Sequence, residues 1–258
     1  MSARMVTSLA NPTVKAVRAL HQRRARQESG LFLVEGLRSI TEAVELGHRP
    51  KIMLHAAGAA AHPLLRAAAD VADETLEVSE AILAKISRKE NPQMVLGVFG
   101  QRLNRLSELP ISPSGCWVGL EAVRDPGNLG TIIRTADAAG CAAVLLIGEC
   151  CDPYSVEAVR ATMGSIFAVP LVEVSRAAFL EWRRDWPGAV VGALLGAQTD
   201  YRATPWRAPN LLLMGNEQAG LSAELAQACD VAVQIPMRGR ADSLNLAVAT
   251  GLMIYAAT

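Results

Sequence analysis

The second half of the chain contains five short runs of almost wholly apolar, uncharged residues, and these runs constrain its fold more than any other feature. They are predicted strands over residues 116–120, 143–147, 190–194, 211–214 and 231–235. Helical spacing follows them, over residues 129–139, 154–164, 177–183, 222–229 and 244–257. Continuous apolar strands alternating with amphipathic helices are typical of a parallel sheet covered by helices on both faces. The sequence therefore predicts an α/β fold.

The first hundred residues show a shorter α/β pattern of their own. Strands are predicted over 31–34, 51–54 and 94–99, and helices over 41–46 and 63–72. The segment 101–114 is polar and carries two prolines, which is typical of a linker. We therefore predict one domain over residues 1–100, a linker over 101–114 and a second domain over 115–258.

The distribution of charge along this chain is more informative than its net charge. The 258 residues are 51% hydrophobic and carry a formal net charge of zero, so the total indicates no particular partner. Six cationic residues precede the first acidic residue, Glu28: Arg4, Lys15, Arg18, Arg23, Arg24 and Arg26. A basic arm of this kind suits contacts with phosphates, and a solvated helix face explains it equally well.

The cysteines and the hydropathy exclude several classes of protein. Five cysteines, at positions 116, 141, 150, 151 and 229, include no C-x-x-C pair, which argues against a disulfide framework or a zinc site. No metal is expected. The N-terminus lacks the apolar stretch of a signal peptide, and no run approaches the roughly 20 apolar residues of a membrane span. We expect a cytoplasmic protein with buried thiols and no membrane partner.

Three blocks of turn-forming and polar residues follow three of the predicted strands. Block one runs from Asp125 to Arg134, block two from Gly215 to Leu221, and block three from Ile235 to Asn245. In open parallel sheets, ligands bind beyond the carboxyl ends of the strands. The three blocks are therefore predicted to form one site.

The residue types available at that site limit its chemistry. Residues 101–258 contain no histidine and no lysine. A proton-abstracting base there has to be a carboxylate, an unusual arginine or a group on the substrate. No G-x-G-x-x-G fingerprint follows a strand and no P-loop motif occurs, which argues against dinucleotide and nucleoside triphosphate sites.

Several polar residues in or near the blocks also have a plain structural explanation. A lone arginine such as Arg134 is by default a surface salt-bridge residue, and Glu217 would suit a helix N-terminus. Ser243 or Asp242 would cap the last helix, and Ser222 is expected to cap the helix after block two. The presence of all three blocks together favours a functional interpretation.

The three blocks resemble the signature motifs of the SpoU-type, or TrmH-like, RNA 2′-O-ribose methyltransferases of the SPOUT superfamily. The motif residues are Asp-Pro-Gly-Asn-Leu-Gly with Arg134, Gly-Asn-Glu-Gln-Ala-Gly-Leu, and Ile-Pro-Met with Ser-Leu-Asn, with 26 residues from Glu217 to Ser243. The segment Phe32–Arg38 resembles the opening of the small ribosomal-protein-like α/β domain that precedes many of these enzymes. The resemblance implies a trefoil knot, a homodimer through the C-terminal domain, S-adenosylmethionine as cofactor and RNA as substrate.

The resemblance also implies roles for individual residues. It makes Asn128, Arg134, Glu217, Ser243 and Asn245 catalytic, with Arg134 helping to deprotonate the ribose 2′-hydroxyl. It places the cofactor against Leu194, Met214, Gly215, Ile235, Met237 and Leu244.

The expected RNA contacts are Lys15, Arg18, Arg23, Arg24, Arg38 and Arg160. Arg160 begins a segment similar to a family segment near the RNA, and an ordinary helix end is the alternative. Ribosomal RNA is the expected substrate. Transfer RNA, or a non-catalytic RNA-binding scaffold of the same fold, are the alternatives.

Overall fold

The structure, a computed structural model, describes residues 4–204 and 206–258 and divides the chain into two compact units. The first unit comprises the residues through Gln101 together with Tyr154–Ala168. The second comprises Arg102–Pro153 and Val169–Thr258. Each unit is built on its own sheet.

The first unit contains a mixed five-stranded sheet. Its strands are β1 (Arg4–Val6), β2 (Leu31–Glu35), β3 (Ile52–His55), β4 (Glu74–Val78) and β5 (Val95–Gly100), in the order β1-β4-β3-β5-β2. β1, β4 and β3 are parallel, and β5 runs antiparallel to both β3 and β2. The three predicted strands are confirmed, and β1 and β4 were not predicted. The side chain of Arg4 lies outside the described part of the structure.

Five helices of the first unit precede the second unit in the chain. They are α1 (Pro12–Ala19), α2 (Arg23–Ser29), α3 (Leu37–Glu45), α4 (Pro63–Val71) and α5 (Glu80–Ser87). The two predicted helices correspond to α3 and α4. The basic arm thus forms two short helices, and Arg26 is buried there with its Nη1 donating to the carbonyl of Leu20.

The second unit contains the predicted parallel sheet. Its strands are β6 (Cys116–Glu121), β7 (Ala143–Ile147), β8 (Leu171–Val174), β9 (Ala189–Ala193), β10 (Thr199–Asp200), β11 (Asn210–Met214) and β12 (Val231–Gln234). They lie in the order β10-β12-β9-β11-β6-β7-β8, and all neighbouring pairs are parallel. β6, β7 and β11 are buried at every position, which explains their continuous apolar sequence. The predicted α/β fold class is confirmed, and the trefoil knot stays a prediction.

The helices of this half of the chain are α6 (Pro126–Ala138), α7 (Val156–Thr162), α8 (Arg176–Arg183), α9 (Ala223–Gln227) and α10 (Leu246–Ala257). Ser222 caps α9 as predicted, by accepting a hydrogen bond from Leu225 N. The predicted capping of the last helix by Ser243 or Asp242 is wrong. α10 begins two residues later than expected, and its N-cap is Asn245.

The segment predicted as a linker packs within the second unit. Leu106, Leu109 and Ile111 lie against the hydrophobic core around Trp117. Asn104 N donates to the carbonyl of Leu171 at 2.8 Å. The segment is therefore packed through its apolar side chains, although its prolines and charges predicted an unpacked linker.

Residues 154–168, here called the excursion, leave the parallel sheet between β7 and β8 and belong to the first unit. The ring of Tyr154 lies 4.7 Å from that of Phe32, and the ring of Phe167 lies 4.8 Å from that of Phe99. Arg160, on α7, donates to the buried carboxylate of Glu35. The excursion is therefore fastened to β2 and β5 by aromatic packing and an ion pair.

Within residues 4–204 and 206–258, no helix has the length and apolar character needed to cross a membrane.

Candidate active site

The three sequence blocks lie together at the carboxyl edge of the parallel sheet. Block one follows β6 and forms the start of α6, block two follows β11, and block three connects β12 to α10. β11 lies between β9 and β6 in the sheet, so its carboxyl end is central. This is the edge at which open parallel sheets bind ligands.

Three side chains, one from each block, form a continuous hydrogen-bonded relay. Asn128 Nδ2 donates to Glu217 Oε1 at 3.2 Å, and Asn245 Nδ2 donates to Asn128 Oδ1 at 2.8 Å. Asn128, in the middle of the relay, uses its amide as both donor and acceptor. The structure therefore brings together three of the five residues that the resemblance makes catalytic.

The carboxylate of Glu217 is further fixed by the backbone of block one. The N–H groups of Arg124 and Asp125 donate to it at 3.4 and 3.3 Å. Glu217 is solvent-exposed and lies in the loop before Ser222, outside α9. The alternative interpretation of Glu217 as a carboxylate in the first turn of a helix is therefore wrong.

Different atoms of the Asn245 side chain cap α10 and take part in the relay. Its Oδ1 accepts hydrogen bonds from Ala247 N and Val248 N, which caps α10, while its Nδ2 reaches Asn128. The cap fixes the rotamer of the side chain, so the amide nitrogen points at block one without further support. The sequence did not indicate this capping role, and the catalytic role of Asn245 stays a prediction.

Arg134 lies two turns along α6 from its N-cap, Asp125, and is exposed. Within residues 4–204 and 206–258, no carboxylate forms an ion pair with it, so the surface salt-bridge interpretation finds no support there. A guanidinium without a protein partner can bind a phosphate in bidentate fashion.

Ser243 lies apart from the relay. Its Oγ donates to Asp242 Oδ1 at 3.1 Å, and both residues line a cavity of about 530 Å³ beside block three. The structure therefore places Ser243 with the cavity and not with Asn128 and Glu217.

This cavity is formed at the carboxyl ends of β9, β11 and β12. Five of the six residues expected to hold the cofactor line it: Leu194, Met214, Ile235, Met237 and Leu244. Sequence reasoning missed other lining residues, including Ala193, Gly196, Gln234, Asp242 and Ala249. Asp242 lies within block three, whereas the other four lie outside the blocks, at strand ends or in the last helix, where no motif marks them.

Gly215, the sixth expected cofactor residue, has a structural reason to be glycine. A Cβ at this position would lie 2.0 Å from the carbonyl carbon of Gly220 and 2.1 Å from Leu221 N. Block two folds back on itself here, with Asn216 and Gly220 joined by two backbone hydrogen bonds. The glycine is thus required by the close approach of two backbone segments.

The cavity fits the chemistry of S-adenosylmethionine. Its walls are mostly apolar, which suits an adenine ring, and its lining also includes the polar side chains of Asp242, Ser243 and Gln234. The lining residues come from three neighbouring strand ends and the start of α10, so the shape is set by the sheet itself.

Two thiols lie near the relay but carry no charge at neutral pH. Burial, together with the neighbouring Cys150 and the carboxylates of Glu217 and Asp125, raises the pKa of Cys151 to about 12. Burial likewise raises the pKa of Cys150. Besides these thiols, the acidic and basic side chains of blocks one to three are carboxylates and guanidinium groups, since residues 101–258 contain no histidine and no lysine. All five cysteines are free, but only Cys116 and Cys141 are buried.

The cationic residues expected to contact RNA lie in the first unit. Lys15, Arg18 and Arg23 are exposed on α1 and α2. Arg24 and Arg38 are also exposed, and each pairs with a glutamate four residues later in the chain. Arg160 is engaged with Glu35 and donates to the carbonyl of Ser87 at 2.9 Å. RNA contact by these residues stays a prediction.

Comparison with known proteins finds matches to both parts of the chain. Residues 115–255 match the SpoU rRNA Methylase family, and residues 11–97 match the MRM3-like substrate binding domain. The chain is 34% identical, over 92% of its length and 86% of the relative, to the 23S rRNA (uridine(2479)-2′-O)-methyltransferase of Streptomyces viridochromogenes. It is 29% identical, over 98% of both chains, to the 23S rRNA (guanosine(2553)-2′-O)-methyltransferase RlmP of Bacillus subtilis (strain 168).

A solved structure extends the likeness to three dimensions. The AdoMet-bound rRNA methyltransferase from Sinorhizobium meliloti is 45% identical and covers 99% of this chain and 97% of its own, with a TM-score of 0.93. The fold, with its seven-stranded parallel sheet, is therefore that of the SPOUT methyltransferases. The chain belongs to the SpoU rRNA methylase family.

Proposed function

We propose that this protein transfers a methyl group from S-adenosylmethionine to a ribose 2′-oxygen of ribosomal RNA. The observation that carries the proposal is the Glu217–Asn128–Asn245 relay, which joins all three blocks beside an apolar cavity. Family membership and the names of the relatives, which are 23S rRNA 2′-O-methyltransferases, support the same activity. The proposal places the protein in the cytoplasm with its RNA.

In this mechanism the chain positions the RNA and removes a proton. Arg134 holds an RNA phosphate and activates the neighbouring 2′-hydroxyl, since a guanidinium can contact both groups at once. The relay orients block one, and with it the helix that carries Arg134. When bound, S-adenosylmethionine supplies the electrophilic methyl group. The residues that would hold the cofactor are Leu194, Met214, Ile235, Met237 and Leu244, together with the backbone at Gly215.

Titration of the protein with S-adenosylmethionine in a calorimeter tests the cofactor assignment without RNA. Saturable binding is expected, and Leu244→Arg should weaken it at least about tenfold, because it places a charge in an apolar wall. Leu64→Arg, at an exposed leucine of the first unit, is the matched control and should bind as the parent does. Folded protein that binds no ligand at millimolar concentration contradicts the assignment.

The substrate class is tested by offering ribosomal and transfer RNA in parallel. Methyl incorporation into ribosomal RNA alone is expected, and mapping of 2′-O-methyl sites in a deletion strain would identify the nucleotide. Incorporation into transfer RNA alone supports the alternative substrate. Cofactor binding and RNA binding without methyl transfer would support the non-catalytic scaffold.

The exposed cations of α1 and α2 are proposed to contact RNA phosphates. The triple variant Lys15→Ala/Arg18→Ala/Arg23→Ala should bind RNA more weakly and lower the slope of log K against log salt by about two to three. Filter binding at several salt concentrations measures both. The control is Arg184→Ala/Arg207→Ala, at two exposed arginines of the second unit. An unchanged salt slope in the triple variant would remove these residues from the interface.

A second copy of this chain is proposed to cover the outer face of α10. This helix contains no charged residue, and Val248, Leu252 and Tyr255 are 53%, 40% and 63% exposed on one face. With Tyr201 and Thr131 they line a mostly apolar groove of about 660 Å³. An uncharged helix with one face exposed is typical of a subunit interface.

Leu252→Asp is expected to convert a dimer into a monomer, because the introduced carboxylate would be buried without a partner in the interface. Light scattering after size-exclusion chromatography gives the mass of each species. Leu64→Asp is the matched control and should leave the mass unchanged. A monomeric parent, or a dimeric Leu252→Asp protein, argues against this interface.

A further inference from the structure

Glu121, the last residue of β6, is a buried carboxylate that none of the three blocks includes. Its side chain is only 3% exposed. Oε1 accepts a hydrogen bond from Arg176 Nε at 2.8 Å, and Oε2 accepts one from the backbone N–H of Ser222 at 2.7 Å. Both oxygens are thus committed inside the protein, so Glu121 is not placed to touch the substrate.

The bond to Ser222 fixes the end of block two, since Ser222 is the residue that follows it. The start of block two is fixed by Asn216, whose Nδ2 donates to the carbonyl of Ala122 at 2.7 Å. Between these anchors, Asn216 and Gly220 close the loop with backbone hydrogen bonds of 3.0 and 2.9 Å. Two consecutive residues, Glu121 and Ala122, therefore hold both ends of the loop that carries Glu217.

Ala122, which holds the start of block two, has a strained backbone conformation. Its φ is +50°, a left-handed conformation that residues with a Cβ seldom adopt. The conformation is maintained because its N–H donates to the carbonyl of Ile147 at 3.0 Å while its carbonyl accepts from Asn216. Strain of this kind persists where surrounding bonds determine it, and it is concentrated at functional sites.

We propose that Glu121 is a positioning residue that sets the place of Glu217 relative to Asn128, acting through the N–H of Ser222. This inference rests on the proposed methyl transfer and adds a residue to it. Arg176 has a lesser part, since it is 44% exposed and also contacts Glu224 at 3.4 Å. It neutralises the buried carboxylate, whereas the bond to Ser222 sets the loop.

The test separates the hydrogen bond from the ion pair by working in an Arg176→Met background. Glu121→Gln in that background keeps an acceptor for Ser222 N–H, and Glu121→Leu removes it, while neither retains the ion pair. The leucine variant should transfer methyl groups about 10- to 100-fold more slowly than the glutamine variant in single turnover, as expected for a displaced active-site group. Its affinity for S-adenosylmethionine should be unchanged, because Glu121 does not line the cavity.

Two further measurements exclude a merely structural role. Adding Glu121→Leu to a Glu217→Gln protein should slow transfer little further, since both changes act through the same carboxylate. Amide hydrogen exchange at Ser222 and through block two should be faster in the leucine variant than in the glutamine variant. Additive losses, equal rates in the matched pair or equal exchange would overturn the proposal. A parent that transfers no methyl group contradicts the proposed function, and the exchange measurement still decides the role of Glu121.

Discussion

Replacement of Arg134 by alanine is expected to slow methyl transfer by about 10²- to 10⁴-fold, the range typical of losing a group that assists proton transfer. The reason is the chemistry available to the second unit. Residues 101–258 contain no histidine or lysine, and Arg134 is exposed on the helix that also carries Asn128. Arg134→Lys should be nearly as slow, because it keeps the charge but loses the planar pair of donors. Single-turnover incorporation of labelled methyl groups measures both variants.

The matched control for Arg134 is Arg184→Ala, at an exposed arginine of the same unit outside the three blocks. It should transfer methyl groups at the rate of the parent. Affinity for S-adenosylmethionine should be unchanged in both Arg134 variants and in Arg184→Ala. The cavity is lined by block three and by the ends of β9, β11 and β12, and none of these three changes lies there. An Arg134→Ala enzyme within a few-fold of the parent would make Arg134 a structural residue and Glu217 the leading candidate for the base.

A chain reduced to residues 102–258 is expected to aggregate or to unfold without cooperativity, although it retains the whole parallel sheet. The excursion would lose the surface on which it packs. Phe32 and Phe99 are absent from this fragment, and their partners Tyr154 and Phe167 would be exposed. Truncating a buried aromatic side chain of this kind costs about 3–5 kcal/mol, and here several contacts are lost together. Size-exclusion chromatography and calorimetry would measure the result.

A second fragment isolates the cause of this instability. Residues 102–258 with the excursion replaced by a Gly/Ser segment of equal length should be monodisperse and should unfold cooperatively. The two fragments share the same sheet, relay and cavity, so a difference between them is due to the excursion. A simple 102–258 fragment that behaves as the parent does would contradict the packing described here.

The parallel sheet could be predicted because its central strands are buried on both faces. The interiors of β6, β7 and β11 are apolar, and polar residues stand only at the ends, at Glu121 and Asn210. β4 was missed because its sequence, Glu-Thr-Leu-Glu-Val, alternates in a short, mostly polar stretch. The short α1 and α2 were missed for a related reason, since their buried positions are few and their charges resemble those of a solvated segment.

The candidate catalytic residues could be singled out because each block combines a turn with polar side chains that a core does not require. What the sequence could not reveal is which of them touch. Asn245 joins the relay because its cap fixes the amide, whereas Ser243, two residues earlier, faces Asp242 instead. Glu121 was missed as well, although a charge at the end of an uncharged strand is a usable signal of a buried ion pair.

The excursion was the feature least accessible to sequence reasoning. The helix over 154–164 was predicted, but its pattern was taken to belong to the parallel sheet from which the chain departs. Its partners, Phe32, Phe99 and Glu35, are more than 50 residues away in the sequence. Long-range pairing of this kind leaves no trace in local periodicity.

The excursion also means that the chain passes between its two units three times, after Gln101, after Pro153 and after Ala168. A protease that cuts only between residues 101 and 102 would therefore leave the two pieces attached, since Tyr154–Ala168 stays packed against the strands of the other piece. Such a nicked protein should migrate as one species in its native state and as two in denaturing gel electrophoresis. The two pieces would be held together by tertiary packing and not by a covalent connection.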